Sequence, residues 1–195
     1  YCMSCVDELR QKTVDKSCPL CRKPLPPGPE KLFDLGHLLY MKIKGAINRS
    51  RPGTAPGAPW PTLSAEQQRE MDQAVALLKE AADQGCVEAQ AHCGELYRYG
   101  FGVANDDQLA FVYYQKAAIQ GHARAQCSLG FAYEYGRGVP QSHGKAFELY
   151  NQSAASGNAD AQCNLGTCYW DGTGCEQNHE LAAEWWEKGA LQRGG

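Results

Sequence analysis

The 195-residue sequence lacks several features that would assign it to a common class of protein. No run of apolar residues is long enough to cross a membrane as a helix, and the mean hydropathy is −0.51. The motifs of serine hydrolases, phosphate-binding loops and zinc peptidases (Gly-x-Ser-x-Gly, Gly-x4-Gly-Lys-Ser/Thr and His-Glu-x-x-His) are missing as well. We therefore expect neither a membrane protein nor an enzyme of those classes.

A strong excess of one charge is also missing, because 19 Lys and Arg face 22 Asp and Glu, a net charge of −3. Residues 1–60 carry ten basic and five acidic side chains, a net +5, and residues 61–195 carry nine and seventeen, a net −8. The basic residues are dispersed and few aromatics lie among them, whereas nucleic-acid sites cluster their cations. We expect neither nucleic acid nor a membrane as the main partner.

The ten cysteines are not spaced as a disulfide framework. Four form two Cys-x-x-Cys pairs near the start of the sequence, and of the other six only Cys127 and Cys163 occupy equivalent positions of a repeat. Buried cysteine is an ordinary small core residue. The spacing favours a reducing compartment, the cytoplasm, with the nucleus as the alternative.

One pattern returns every 36 residues. A period of this length, repeated in register, is typical of a stacked solenoid, which serves to hold other molecules, so we do not expect the solenoid itself to be an enzyme. The equivalent positions are Gly85/Gly121/Gly157, Ala89-Gln90/Ala125-Gln126/Ala161-Gln162, Gly94/Gly130/Gly166, Tyr97/Tyr133/Tyr169, the pairs Gly100-x-Gly102/Gly136-x-Gly138/Gly172-x-Gly174, Ala110/Ala146/Ala182 and Tyr114/Tyr150/Trp186.

Each unit is predicted to be a pair of helices. In the first clear unit, Ala89, Cys93 and Leu96 recur at helical spacing and form one apolar stripe. The Gly100-Phe-Gly102 turn ends this helix, and Asp106 or Asp107 caps a second helix that runs to about Gln120. The three units cover residues 86–120, 121–156 and 157–191. Since no single helix can bury its stripe alone, stacking of the units stabilises the array.

Residues 31–85 are predicted to form a degenerate first repeat. Its second helix begins with Ser64 and Gln67, spaced as a capping box, and its first helix covers Lys31 to Lys44, where Leu35-Gly36 matches Leu129-Gly130. Between them lies a proline-rich insertion, residues 46–64, which we expect to be a loop.

These units resemble Sel-1-like repeats, closely over residues 65–191 and loosely over 31–45. Tetratricopeptide repeats, the nearest alternative, have a period of about 34 residues and lack the Gly-x-Gly turn. The resemblance implies an all-α, right-handed solenoid of helix pairs that binds a protein on its concave face. It does not extend to the secreted cysteine-rich branch of the family, because the positions that pair with Cys127 and Cys163 in that branch hold Ile119 and Ala155.

Residues 1–26 contain the two Cys-x-x-Cys pairs. Two thiolates at this spacing can both bind one tetrahedral Zn²⁺, so each pair can supply half of a zinc site. The segment resembles the second half of a RING finger, with the Cys-Pro-x-Cys-Arg sequence as its most characteristic part. The predicted zinc ligands are Cys2, Cys5, Cys18 and Cys21.

The finger is incomplete as written. In the cross-braced RING arrangement Cys2 and Cys5 would bind one zinc and Cys18 and Cys21 another, which leaves each site two ligands short. The sequence starts at Tyr1 without a signal segment, so we expect it to begin inside a longer protein whose upstream part completes the finger. Two alternatives stay open: the four cysteines close on one zinc in a ribbon-like knuckle, or no metal binds.

The main prediction for function is a protein-interaction scaffold that carries a zinc-binding finger. The alternative is a component of a RING-type ubiquitin ligase whose solenoid selects substrates, and a zinc-ribbon nucleic-acid binder comes third. Whether the protein is an enzyme depends on the upstream half of the finger, since a RING acts by orienting a ubiquitin-conjugating enzyme. The resemblance implies that Pro19 and Leu20 contact that enzyme and that Arg22 bridges it to ubiquitin.

Two further patterns lead to predictions, one for the histidines and one for the last unit. No second ligand pair at metal spacing accompanies any of the five histidines, which predicts surface or hydrogen-bonded core side chains rather than metal ligands. Trp186 occupies the core aromatic position of the last unit, and Trp185 occupies the position of Tyr113 and Leu149. No polar capping helix follows them, so the last unit is expected to expose apolar surface.

Overall fold

The structure, a computed structural model, describes residues 27–50 and 63–193, and the regular elements within these ranges are all α-helices. The turns between the helices of residues 65–193 are short, so each of these helices lies antiparallel to the next. The helices are α1 (Pro29–Ser50), α2 (Ala65–Asp83), α3 (Val87–Tyr99), α4 (Asp107–Ile119), α5 (Ala123–Tyr135), α6 (His143–Ala155), α7 (Ala159–Asp171) and α8 (His179–Arg193).

The predicted helix ends are confirmed where capping residues were identified. Ser64 and Gln67 form the reciprocal capping box at the start of α2, and the Asp106 carboxylate accepts the Leu109 amide at the start of α4. Gly100 ends α3 in the left-handed conformation at φ 63°, a conformation that costs a side-chain-bearing residue free energy. The repeat therefore encodes its own helix boundaries through local chemistry.

The eight helices form a one-dimensional stack of pairs. The helices of each pair (α1–α2, α3–α4, α5–α6 and α7–α8) pack on each other, and each pair contacts the next through α2–α3, α4–α5 and α6–α7. The first helices of neighbouring units also touch, α3 with α5 and α5 with α7. The prediction of an all-α solenoid is confirmed.

Within each pair, a glycine of the first helix packs against a large side chain of the second. A Cβ atom added to Gly94 would lie 2.6 Å from Cδ1 of Tyr114, and one added to Gly130 would lie 2.8 Å from Cε1 of Tyr150. The degenerate first repeat keeps the contact with Leu78 in place of the ring, 2.9 Å from a Cβ on Gly36. The two helices approach so closely that any side chain at these glycines would force the facing side chain to shift.

A glutamine at the same repeat position, near the start of α3, α5 and α7, joins each of these helices to the preceding pair. The buried Gln90 amide donates to the Ala82 carbonyl at 3.1 Å, and Gln126 and Gln162 donate to Ala118 and Ala154 at 3.3 and 3.4 Å. Each acceptor lies in the last turn of the preceding second helix, whose final carbonyl groups have no partner within the helix. The Ala-Gln motif is therefore a connection between units.

The first helix of the degenerate repeat is longer than predicted. It runs to Ser50, whereas the sequence predicted an end at Lys44 and a loop from Ala46. The reason is that the first proline of the insertion is Pro52, and Ile43 and Ile47, four residues apart, are 1% and 6% exposed and continue the buried stripe. Residues 51–62, the rest of the predicted insertion, lie outside the described residues.

We expect the variant Gly130→Ala to be less stable than the wild type by about 1–3 kcal/mol, because its Cβ would overlap the Tyr150 ring. The matched control is Gly144→Ala in α6, where an added Cβ meets nothing within 4 Å, and this variant should gain up to about 1 kcal/mol from its better helix propensity. Urea unfolding followed by circular dichroism measures both. Equal midpoints for the two variants would contradict the close approach of α5 and α6.

Candidate functional site

The first helices of successive units line one open groove of about 1070 Å³. Because the second helices pack behind them, the groove follows the direction of stacking and receives side chains from the first helices α1, α3, α5 and α7 and from Tyr114 of α4. Its lining includes Tyr40 and Lys44 of α1, Glu95, Arg98 and Tyr99 of α3, Arg124, Ser128 and Phe131 of α5, and Asp160 and Asn164 of α7.

Three cations of the groove are held in different ways. The Arg98 guanidinium carbon lies 4.2 Å from the ring centre of Phe131, and the Lys44 amine lies 5.4 Å from the ring centre of Tyr40. Arg124 instead forms an ion pair with Glu95. Cation–π contacts orient a cation without neutralising it, so Arg98 and Lys44 keep their charge available for a ligand.

Counting the degenerate repeat as the first unit, the second unit (residues 86–120) and the third unit (residues 121–156) differ at one position of their first helices. In the third unit the Tyr150 hydroxyl donates to the Glu134 carboxylate at 2.6 Å. In the second unit Arg98 occupies the position equivalent to Glu134, and the buried Tyr114 hydroxyl makes no hydrogen bond within the described residues, although Ser128 lies near it. Burial raises the pKa of both tyrosines, and in Tyr150 the hydrogen bond to Glu134 raises its pKa further.

Beside the groove, α1, α3 and the turn after α3 form a cluster of rings, the histidine cluster. The His92 ring centre lies 5.1 Å from that of His37 and 4.6 Å from that of Tyr40, with Phe33 and Phe101 around them. The Nδ1 atoms of both histidines are buried and have no hydrogen-bond partner in the described residues. The expectation of surface or hydrogen-bonded histidines is therefore wrong for this pair, which repeat spacing alone could not bring together.

Burial lowers the pKa of His92 to about 4, and the neighbouring His37 lowers it further. The other histidines have different roles. The His122 ring accepts the Ala125 amide as the cap of α5, and His179 packs on Trp170 with ring centres 4.4 Å apart.

The last unit leaves aromatic surface exposed, as the sequence predicted, but Trp186 is not a core residue. It is 36% exposed, whereas Tyr150 at the equivalent position is 0% exposed. The reason is that no described helix packs on the outer side of α8, as α7 packs on α6. Trp186 still covers Gly166, donates to the Cys163 carbonyl at 3.2 Å and lies 5.5 Å from the Trp170 ring.

The residues predicted to bind zinc and a conjugating enzyme lie outside the described residues: Cys2, Cys5, Cys18, Cys21, Pro19, Leu20 and Arg22. In residues 27–50 and 63–193, no group of three or more His, Cys, Asp or Glu side chains could hold a metal ion.

The six cysteines of these ranges form no disulfide. Burial raises the pKa of Cys93 and Cys168 to about 12, so these thiols are unreactive. None of the described helices is both long and apolar enough to cross a membrane.

Sequence reasoning did not identify the groove residues individually, because it followed the positions that repeat. The groove-lining residues Arg98, Ser128 and Asn164 stand at positions whose residues differ from unit to unit. A usable signal was present, since these positions vary while the glycines, the Ala-Gln pairs and the core aromatics recur.

Comparisons with known proteins agree with this architecture. The profile of the family described as Sel1 repeat matches residues 67–86, 87–122, 123–158 and 159–193, which together cover about two thirds of the chain. A search of curated protein sequences gives no significant match.

Two solved structures are similar to this chain. One is c5321, a protective antigen present in uropathogenic Escherichia coli strains and displaying an SLR fold, with 24% identity over 96% of this chain and a TM-score of 0.67. This chain spans about a third of that protein, 33%. The other is a Sel1 repeat protein from Oxalobacter formigenes, with 39% identity, a TM-score of 0.53, and coverage of 59% of this chain and 86% of that one. The first likeness concerns the fold alone.

The buried His92 predicts a specific pH dependence of stability. Unfolded chains bind a proton at His92 near its ordinary pKa of 6.5 and the folded chain does so near 4, so the free energy of unfolding falls as the pH falls from 6.5 to 4.5. We expect a loss of about 2 kcal/mol that the variant His92→Phe does not show. Urea unfolding at several pH values measures the loss, with the exposed His143→Gln as the control that keeps the wild-type profile. Parallel profiles of wild type and His92→Phe would contradict the assignment.

Proposed function

This chain belongs to the Sel1 repeat family, and from that membership we propose that it is a protein-interaction scaffold whose groove holds an extended segment of a partner protein. Sel1 repeats generally mediate contacts between proteins. In this role the chain would hold its partner close to any other molecule that the same polypeptide binds.

The observation that carries this proposal is the groove formed by the first helices. Its volume of about 1070 Å³ is at the upper end of small-molecule sites, and its open shape along four helices suits a chain segment better than a compact ligand. Tyr99 is 57% exposed beside Arg98, and tyrosine and arginine are the side chains that contribute most often to binding at protein interfaces. Amides such as Asn164 add groups that can bond to a peptide backbone.

A second candidate function concerns the N-terminal segment. The two Cys-x-x-Cys pairs support a proposal that Cys2, Cys5, Cys18 and Cys21 bind Zn²⁺ and that the protein is a component of a RING-type ubiquitin ligase. In that case the solenoid would select the substrate, while Pro19, Leu20 and Arg22 would contact the conjugating enzyme and ubiquitin. The two proposals are compatible, because both require the groove to bind a protein.

Site-specific photo-crosslinking tests the groove. A benzoylphenylalanine at Tyr99, which replaces one exposed ring by another, should give one dominant protein adduct in cells. The same group at Ile119, which is 80% exposed and does not line the groove, should not give it. Excess unlabelled protein should suppress the Tyr99 adduct. If both positions give the same adducts, or neither gives any, the groove is not a protein-binding site.

Zinc analysis tests the N-terminal proposal. The protein expressed from its natural start codon should contain zinc by plasma mass spectrometry, and Cys2→Ser with Cys5→Ser should remove half or all of it. Loss of half the zinc indicates two cross-braced sites, and loss of all of it indicates one shared site. Cys127→Ser, which changes a buried cysteine of the solenoid that forms no disulfide, is the control that keeps all the zinc. A zinc-free protein would contradict the proposal, and ubiquitin chain formation with a conjugating enzyme tests the ligase part separately.

A further inference from the structure

The second unit lacks a carboxylate that the third unit has. The Tyr150 hydroxyl donates to Glu134 at 2.6 Å, and one period earlier Tyr114 has the same backbone position and the same contact with a helix glycine. Its side chain is 3% exposed, and its hydroxyl makes no hydrogen bond within the described residues. An unpartnered buried hydroxyl costs free energy, so this site is incomplete in the chain alone.

The residue in place of the missing carboxylate has the opposite charge. Arg98 lies at the position of Glu134, with its guanidinium over Phe131 and 5.1 Å from the ring centre of Tyr99. Among the described residues no carboxylate lies within ion-pair distance of Arg98. Of the other acidic groups nearby, Glu95 is paired with Arg124, Asp107 lies at the start of α4 without an ion pair to Arg98, and Asp160 lines the groove from α7.

We propose that Arg98, Ser128 and Tyr114 form a carboxylate subsite of the groove, which receives an aspartate or glutamate side chain of the partner segment. This inference rests on the function proposed above. Arginine binds a carboxylate through paired charge-assisted hydrogen bonds, and the Ser128 hydroxyl is a further donor. The Tyr114 hydroxyl is closed off from solvent, so the carboxylate binds Arg98 first and reaches the hydroxyl as the half-exposed Arg98 side chain moves toward the groove.

Local contacts rather than long-range attraction would produce this selectivity. Residues 61–195 carry a net charge of −8, which repels an acidic segment at a distance. At physiological salt such repulsion is screened beyond about 8 Å, whereas a direct contact with Arg98 is not. The test therefore belongs at 0.15 M salt, where the screening length has this value.

The experiment uses the whole 195-residue chain and immobilised pools of twelve-residue peptides with one fixed central residue and randomised flanks. Pools centred on Glu or Asp should bind about tenfold more tightly than those centred on Gln or Asn, the ratio expected for one charged hydrogen-bonded contact. Arg98→Glu should abolish the preference without lowering the thermal midpoint, because the introduced carboxylate can accept the Tyr114 hydroxyl as Glu134 accepts Tyr150. Glu134→Gln is the matched control and should keep the preference.

The outcomes distinguish a failure of the carboxylate subsite from a failure of the groove as a protein-binding site. If all pools bind equally and the Tyr99 crosslink still forms, the groove binds proteins but the carboxylate subsite is wrong. If no pool binds and no Tyr99 adduct forms, both are wrong. A preference that survives in Arg98→Glu, or a stronger preference for phosphoserine than for glutamate, also overturns the subsite. An independent check is Tyr114→Phe, which should raise the thermal midpoint because it removes an unpartnered buried hydroxyl, whereas Tyr150→Phe should lower it because it removes a hydrogen bond to Glu134.

Discussion

The contact between a helix glycine and the ring of the facing helix is the constraint on which this solenoid depends. At Gly94, Gly130 and Gly166 the absence of a side chain lets the second helix approach until its aromatic ring lies against the backbone of the first. In close packing of this kind an added methyl group forces its neighbours apart, so the contact sets the distance between the helices of each pair. Because the contact recurs every 36 residues, each unit has the same internal geometry and can stack on the last.

The same constraint explains where function can lie. One face of each first helix is committed to the glycine–ring contact, and the buried glutamine at its start is committed to the preceding unit through the carbonyl that it binds, as Gln90 binds Ala82. Other positions of the first helices have no such repeated contact, so their side chains vary from unit to unit. One turn after the glycine, for example, Arg98, Glu134 and Trp170 put a cation, an anion and an indole on one backbone site.

Much of the fold followed from sequence because its determinants are local and periodic. Helix boundaries depend on residues such as Asp106 and Gly100 that act on their own turn, and the pairing of helices depends on a pattern visible in register. The predictions were wrong where the burial of a side chain depends on residues that are distant in the sequence. The end of α1 was placed too early because Ile47 is buried by packing that no local signal reports, and Trp186 was taken for a core residue although no described helix covers it.

The sequence by itself determined the all-helical architecture, the repeat period and the family, because these depend on spacings along the chain. Only the tertiary structure decided which side chains share a groove, since residues such as Lys44, Arg98 and Asn164 are far apart in sequence and meet only when the units stack. It likewise brought His37 beside His92 and left the Tyr114 hydroxyl without a hydrogen-bond partner among the described residues. Such relations depend on distances across helices, and these arise from packing rather than from the order of residues.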